Sequence, residues 1–191
     1  MVLSLVHRGC SRVYVLPVLL ALTVTLAVPL VHGEVTHRSA SGFVSEHQLV
    51  LQASPADAYQ ALVHQVAAWW DASHSYSGEA AGFSIEDVAG GCFCEILGDV
   101  RVEHMRVVNV HAGRRITLHG ALGPLQSMAV NGSMHFEFEP HDEGSLLKYR
   151  YSVGGYVPGG LDVLADAVDQ VQLGQLSRLK RHVATNLSRT K

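Results

Sequence analysis

Between Leu161 and about Asn186 the apolar residues Leu161, Leu164, Ala165, Val168, Leu176, Leu179 and Val183 recur at intervals of three and four. That spacing is one face of a helix of about seven turns. The breaker run Gly154-Gly155-Tyr156-Val157-Pro158-Gly159-Gly160 separates it from what precedes it. Asp162, Asp166 and Asp169 toward its start and Arg178, Lys180 and Arg181 toward its end complement the helix dipole. Gln172 falls where the apolar stripe should continue, with Gln175 just off it. A helix of this length with one apolar face needs a large concave partner, and the preceding segments read as strands.

Six strands are expected between Gly78 and Val153: 82–86, 92–97, 100–111, 114–122, 127–139 and 146–153. Short glycine-bearing turns divide them, among them Gly98-Asp99, Ala112-Gly113 and Gly123-Pro124. No helical segment lies between them to carry a parallel crossover, so the arrangement is an antiparallel meander. Faces are clearest where Met128, Val130, Met134, Phe136 and Phe138 alternate with Ala129, Asn131, His135, Glu137 and Glu139. Leu147, Tyr149, Tyr151 and Val153 alternate with Lys148, Arg150 and Ser152 in the same way, giving one apolar and one wet face.

Ahead of the meander, Gly42 to Gln52 is rich in strand formers and is expected as the first strand. Ser54-Pro55-Ala56-Asp57 then opens a helix, with an N-cap serine, a proline at the first helical position and an acid in the first turn. Tyr59, Leu62, Val63, Val66, Trp69 and Trp70 lie on one side of it, with a break into two short helices near Val63 to Val66. The expected architecture is α+β: a curved antiparallel sheet of about seven strands wrapped around the C-terminal helix, with a short helix pair after the first strand.

The N-terminal 33 residues have another character. Arg8 and Arg12 precede the apolar run Val13 to Val31, and Val31-His32-Gly33 offers a small-residue processing site before Glu34, as Thr25-Leu26-Ala27 does before Val28. Residues 1–33 are read as a signal peptide, with an uncleaved membrane anchor as the rival. Pro17, Pro29 and the polar sequence that follows at once favour cleavage into the periplasm or the extracellular space. Residues 34–41 are expected as a flexible lead-in, 42–187 as the domain and 188–191 as a tail. Losing Arg8 and Arg12 takes the 14 Lys and Arg to 12 against 17 Asp and Glu, a net charge of −5. Nothing here forms a nucleic-acid footprint, and a membrane would be met only through an uncleaved N-terminal segment.

In the mature chain the cysteines are Cys92 and Cys94. Two residues apart on a strand they share a face, and a bridge between them would strain a regular strand. They are read as small strand residues, with a redox or metal pair as the alternatives. The chain has twelve histidines. His7 and His32 lie in the leader, and His111, His119, His135 and His141 fall near turns or on outer faces. No phosphate loop, nucleophile elbow or spaced zinc signature is present, and no cofactor or metal is expected.

The residues Ser54-Pro55-Ala56-Asp57-Ala58-Tyr59, Ala68-Trp69-Trp70, Gly90-Gly91-Cys92-Phe93-Cys94-Glu95, Gly120-Ala121-Leu122-Gly123-Pro124-Leu125-Gln126 and Tyr151-Ser152-Val153-Gly154-Gly155-Tyr156 carry a resemblance over about 42–186. The chain resembles the helix-grip superfamily of START-like domains (SRPBCC), the birch-pollen-allergen fold, and within it the polyketide cyclase/dehydratase and ATPase-activator-homologue branch. The resemblance implies the helix-grip fold. It implies no single activity, because the superfamily includes lipid carriers, hormone receptors, cyclases and co-chaperone domains. An exported copy meets neither cytosolic chaperones nor ATP.

One polar pair stands out. A two-residue Gly98-Asp99 hairpin sets Phe93 opposite His104 and Glu95 opposite Val102, making Glu95 and His104 diagonal neighbours on the inner face. Such a pair can bind a polar head group, exchange a proton with it, or simply satisfy itself. The reading is therefore a domain that binds a small hydrophobic or amphipathic molecule between sheet and helix. The expected lining is Trp69, Trp70, Phe93, Glu95, His104 and Leu118, then Met134, Phe136, Tyr151, Leu164, Val168 and Gln172. The alternatives are a cyclase- or dehydratase-like enzyme using Glu95 and His104, and a non-catalytic protein-interaction domain.

Overall fold

The computed structural model describes residues 33–189, so the expected leader lies outside the described residues apart from Gly33. From Gly33 the chain runs β1 (Gly33–Ser39), β2 (Gly42–Leu51), α1 (Pro55–His64) and α2 (Val66–Trp69). The meander follows as β3 (Phe83–Ile85), β4 (Cys92–Leu97), β5 (Val100–His111), β6 (Arg115–His119), β7 (Ala129–His141) and β8 (Gly144–Tyr156), and α3 (Ala165–Arg189) closes the chain. The strands form one antiparallel sheet in the order β1-β2-β8-β7-β6-β5-β4-β3.

α1 starts as its sequence dictates, with Ser54 Oγ accepting from Asp57 N at 3.2 Å ahead of Pro55. Gln65 breaks the helix before α2. Trp69 Nε1 then donates to Ala61 O at 3.1 Å, folding α2 back on α1. On the sheet, the core is built by the inner faces of β2, β6, β7 and β8, where Phe43, Leu49, Ile116, Leu118, Phe138 and Leu147 are all buried. Gly132 belongs on that face because a Cβ there would lie 2.6 Å from Tyr151 Cε2. Its missing side chain lets Tyr151 lie flat and bring its hydroxyl within 3.3 Å of Leu122 N, which donates to it.

Four expectations are corrected. Within residues 34–41, expected as a flexible lead-in, the chain forms an eighth strand, β1 (Gly33–Ser39), paired along β2. Apart from half-buried Val35 and Ser39 its described side chains are exposed, so it is held by backbone hydrogen bonds that leave no hydrophobic pattern. Cys92 and Cys94 are joined in a disulfide, not free strand residues. The strand is not regular there: the two Cα atoms are 5.3 Å apart, within bridging range and well under the roughly 6.7 Å of an extended pair.

The third correction follows from the second. The ladder shifts between Phe93 and Cys94, so Phe93 faces Met105 instead of His104, while Glu95 faces Val102 as expected. The extra residue on β5 makes His104 and Met105 buried in succession. The fourth concerns α3, whose inner face is Ala165, Asp169, Gln172, Gln175, Leu176, Leu179 and Val183, all buried, with Leu161 buried just ahead of the helix. Leu164 and Val168 lie one position round the helix and are only partly buried.

Candidate functional site

Sheet, α1–α2 and α3 enclose a cavity of about 20 Å³, room for about one water molecule. Trp69, Trp70, Phe93, Leu118, Met134 and Phe136 line it as expected, and so does Gln172. Leu62, Ile85, Tyr149, Gln175 and Leu176 complete the lining. Glu95, His104, Tyr151, Leu164 and Val168, expected in the same lining, are not part of it. Each has a local reason. Leu164 and Val168 are rotated off the inner face, Tyr151 covers the β6–β7 connection, and the Glu95–His104 pair lies beyond the aromatic wall.

That wall is Trp70, Phe83 and Phe93. Trp70 lies 4.9 Å from Phe83 and 5.4 Å from Phe93 between ring centroids, and Phe93 meets His104 at 5.4 Å on its other side. His104 is stacked on Phe83 at 5.0 Å and 15° and on Tyr76 at 5.9 Å and 28°.

α3 and β8 supply polar groups to the cavity lining. Tyr149 Oη donates to Gln172 Oε1 at 2.8 Å. Burial, with Tyr151 and Asp169 nearby, pushes the Tyr149 phenol well above its ordinary value, so it stays a donor. Gln175 Oε1 accepts from Asp71 N at 2.9 Å, and this fixes which way the amide points. Its Nε2 is buried with no partner. A buried amide donor left without an acceptor costs about 1–3 kcal/mol.

Glu95 and His104 do meet, with His104 Nε2 3.2 Å from Glu95 Oε2. Both are buried. Glu95 also accepts from Tyr76 N at 3.0 Å and Ser77 N at 2.6 Å, so its oxygens are committed to the loop that covers it. Burial works to raise the Glu95 pKa, yet the hydrogen bonds from Ser77, Tyr76 and His104 together outweigh it and hold the carboxyl below its usual range. Burial lowers the His104 pKa against the opposing pull of Glu95. The pair is thus a carboxylate and a neutral imidazole at neutral pH, with Nε2–H donating to Glu95. His104 Nδ1 is then a buried acceptor without a partner.

A third polar cluster escaped the sequence reading. His47 Nε2 lies 2.9 Å from Asp169 Oδ1, and Ser45 Oγ donates to the same oxygen at 2.6 Å. All three are buried between β2 and α3. The arrangement is not a nucleophilic triad, because serine and carboxylate approach the same ring nitrogen and Nδ1 has no partner. A signal for it exists in sequence: Phe43, Ser45, His47, Leu49 and Leu51 share one strand face, and Asp169 continues the Leu161–Ala165 spacing. Among the described residues, no cluster of three His, Cys, Asp or Glu side chains is placed to hold a metal ion.

No protein-family model matches the chain, and no curated protein does. Among solved structures it is similar to an uncharacterized protein from Rhizobium leguminosarum, at 18% identity and a TM-score of 0.57 over 78% of this chain and 99% of that one. It is similar to Ara h 8.0201 at 14% identity and a TM-score of 0.52, over 75% of this chain and 99% of that one. The di-domain ARO/CYC StfQ from the steffimycin biosynthetic pathway matches at 16% identity and a TM-score of 0.53, over 79% of this chain and 54% of that one. These likenesses show the helix-grip fold, and at such identities they carry the fold alone.

Proposed function

We propose that this is an exported helix-grip domain that holds a small amphipathic molecule between the sheet and α3. The apolar body packs on Trp70, Phe93, Leu118, Met134 and Phe136, and an acceptor oxygen takes the hydrogen bond that Gln175 Nε2 lacks. That unpartnered amide on the wall of an apolar cavity is the observation that carries the reading. At about 20 Å³ the space is far below the roughly 300 Å³ of a small-ligand pocket, so binding requires the interior to open. The Cys92–Cys94 disulfide supports an oxidising compartment and hence export.

The test is native mass spectrometry and calorimetry of the folded domain against straight-chain alcohols, ketones and carboxylic acids of graded length. The expected result is a retained or titratable ligand whose affinity falls about fivefold in Gln175→Leu, the worth of one hydrogen bond. No binding of any member of the series would remove the proposal. The closed interior favours one second reading, a non-catalytic interaction domain with a solid core, and failure of the whole series would leave that in its place. Acid–base catalysis by Glu95 and His104 has less support, since both carboxylate oxygens are taken up by Tyr76, Ser77 and His104. Recovery of the protein beginning at Glu34 or Val28 in the soluble extracytoplasmic fraction is the expected outcome for export, and Met1 retained in cytoplasmic protein would defeat it.

A further inference from the structure

The Cys92–Cys94 bridge spans a sequence separation of two. A ring this short constrains the unfolded chain less than any longer loop, so it adds little as a staple. Its effect is local. It pinches β4 around Phe93, and β5 accommodates the shortened strand with one extra residue at His104. Both cysteines are half-buried on the outer face of β4, within reach of solvent. Their neighbours across the ladder differ. Cys92 has Glu86 and Arg106 as its cross-strand neighbours, whereas Cys94 has Ser84 and Glu103, so the cation of the Arg106–Glu103 ion pair is carried opposite Cys92 and the carboxylate opposite Cys94. Arg106 is held at the Cys92 end by donating Nη1 to Gly90 O at 2.8 Å, although it also pairs with Glu103.

We propose that Cys92 and Cys94 form a reversible thiol–disulfide exchange site whose partner is a dithiol, with Cys94 the sulfur attacked and Cys92 the sulfur released. A thiolate of the dithiol bonds to Cys94 Sγ, the Cys92–Cys94 bond breaks, and its electron pair leaves on Cys92 as a thiolate, opposite Arg106. The dithiol's second sulfur, deprotonated, attacks the first and expels Cys94. The partner ends as a cyclic disulfide, two electrons pass to the protein, and the two protons given up by the dithiol end on the cysteines or in solvent. The reverse sequence restores the bridge. Phe93, between the two cysteines, faces the cavity against Trp70, so the redox state is felt at the cavity wall.

The folded wild-type domain is equilibrated in mixtures of reduced and oxidised dithiothreitol, quenched in acid, alkylated with N-ethylmaleimide and weighed intact. Addition of two maleimides with unchanged circular dichroism, a tryptophan fluorescence change that tracks it, and reversal by oxidised dithiothreitol are expected. A bridge that yields only when the domain unfolds would overturn the proposal. In the single variants, Cys92 of Cys94→Ser is expected to react with iodoacetamide about threefold faster than Cys94 of Cys92→Ser at neutral pH, the gain in thiolate fraction being partly offset by lower nucleophilicity. Arg106→Ala should erase that difference. Equal or reversed rates without the Arg106 change would overturn the assigned direction.

Discussion

Glu95 and His104 show how one buried pair can be legible in sequence and still have a different neighbourhood from the one its pattern implies. Their shared face and contact follow from strand alternation and the Gly98-Asp99 turn. The bulge does not, because it answers a disulfide whose geometry a regular strand would forbid. A consequence for pH can be worked out from the two lowered pKa values. The His104 pKa in the folded state lies below the ordinary histidine value of about 6.5, so the unfolded chain binds more protons in that window. Its contribution is therefore complete above about pH 6.5 and is lost as pH falls through the folded value. Glu95 behaves alike lower down, complete above about pH 4.3 and lost below it. Urea unfolding is expected to show stability declining from about pH 6.5 downward. In His104→Phe, which keeps the stack on Phe83, the upper part of that decline should be missing. A parallel decline in wild type and variant would mean that other histidines carry it.

Among the elements, α3 is the most legible in the sequence, and its buried face departs from the apolar stripe only at its margin. Its length and charge polarity are written in the sequence, but the inner face contains Asp169, Gln172 and Gln175, and polar residues do not announce that they are buried. Of the expected stripe, Leu161, Ala165, Leu176, Leu179 and Val183 are buried, and Leu164 and Val168 fall at its margin, partly buried against the core. What draws Asp169 inward is His47 and Ser45 on β2, a partner set that lies some 120 residues away. β1 is illegible for the opposite reason, since its pairing with β2 rests on backbone hydrogen bonds and only Val35 of its described side chains packs on the core. The Asp169 cluster fixes how α3 sits on β2, and it does so with buried polar groups that satisfy one another, a device that a well-packed apolar replacement can match. Asp169→Leu alone strands His47 and Ser45 and is expected to cost about 1–3 kcal/mol for each polar group left buried without a partner. The triple variant Ser45→Ala, His47→Leu, Asp169→Leu should recover most of that loss in a denaturant titration. A triple variant as unstable as the single would show that packing, not the orphaned polar groups, sets the cost.

At the scale of the whole molecule, a closed interior and a ligand-binding role are compatible only if some part of the wall opens more readily than the rest. The sheet ladders and α3 are continuous, and opening them approaches global unfolding. The segment from Asp71 to Gly82 is different. It holds only two short 3₁₀ turns, and it is attached through side chains, among them Gln175 to Asp71 N, Arg178 to Asp71, Trp70 Nε1 to His74 O at 3.0 Å, Glu95 to Tyr76 N and Ser77 N, Tyr76 Oη to Gly123 O at 3.0 Å and the stack of Tyr76 on His104. It also follows Trp70 and precedes Phe83, so lifting it uncovers the aromatic wall. Glu95 holds this segment by accepting from two of its backbone amides, contacts that its place on the inner face of a hairpin does not disclose. Native-state hydrogen exchange is expected to show the Tyr76 and Ser77 amides opening well below the global free energy, while those of Leu147 and Tyr149 exchange only with it. Glu95→Gln keeps one acceptor oxygen and turns an amide donor toward the other N–H. The loss of a charge-assisted bond, about 1.5–3 kcal/mol, predicts exchange at Tyr76 and Ser77 faster by roughly ten- to a hundredfold. A ligand in the cavity should slow the same two amides and raise the melting temperature in proportion to its saturation. Exchange at Tyr76 and Ser77 as slow as in the sheet, and unaltered by Glu95→Gln, would leave the interior without a way to open.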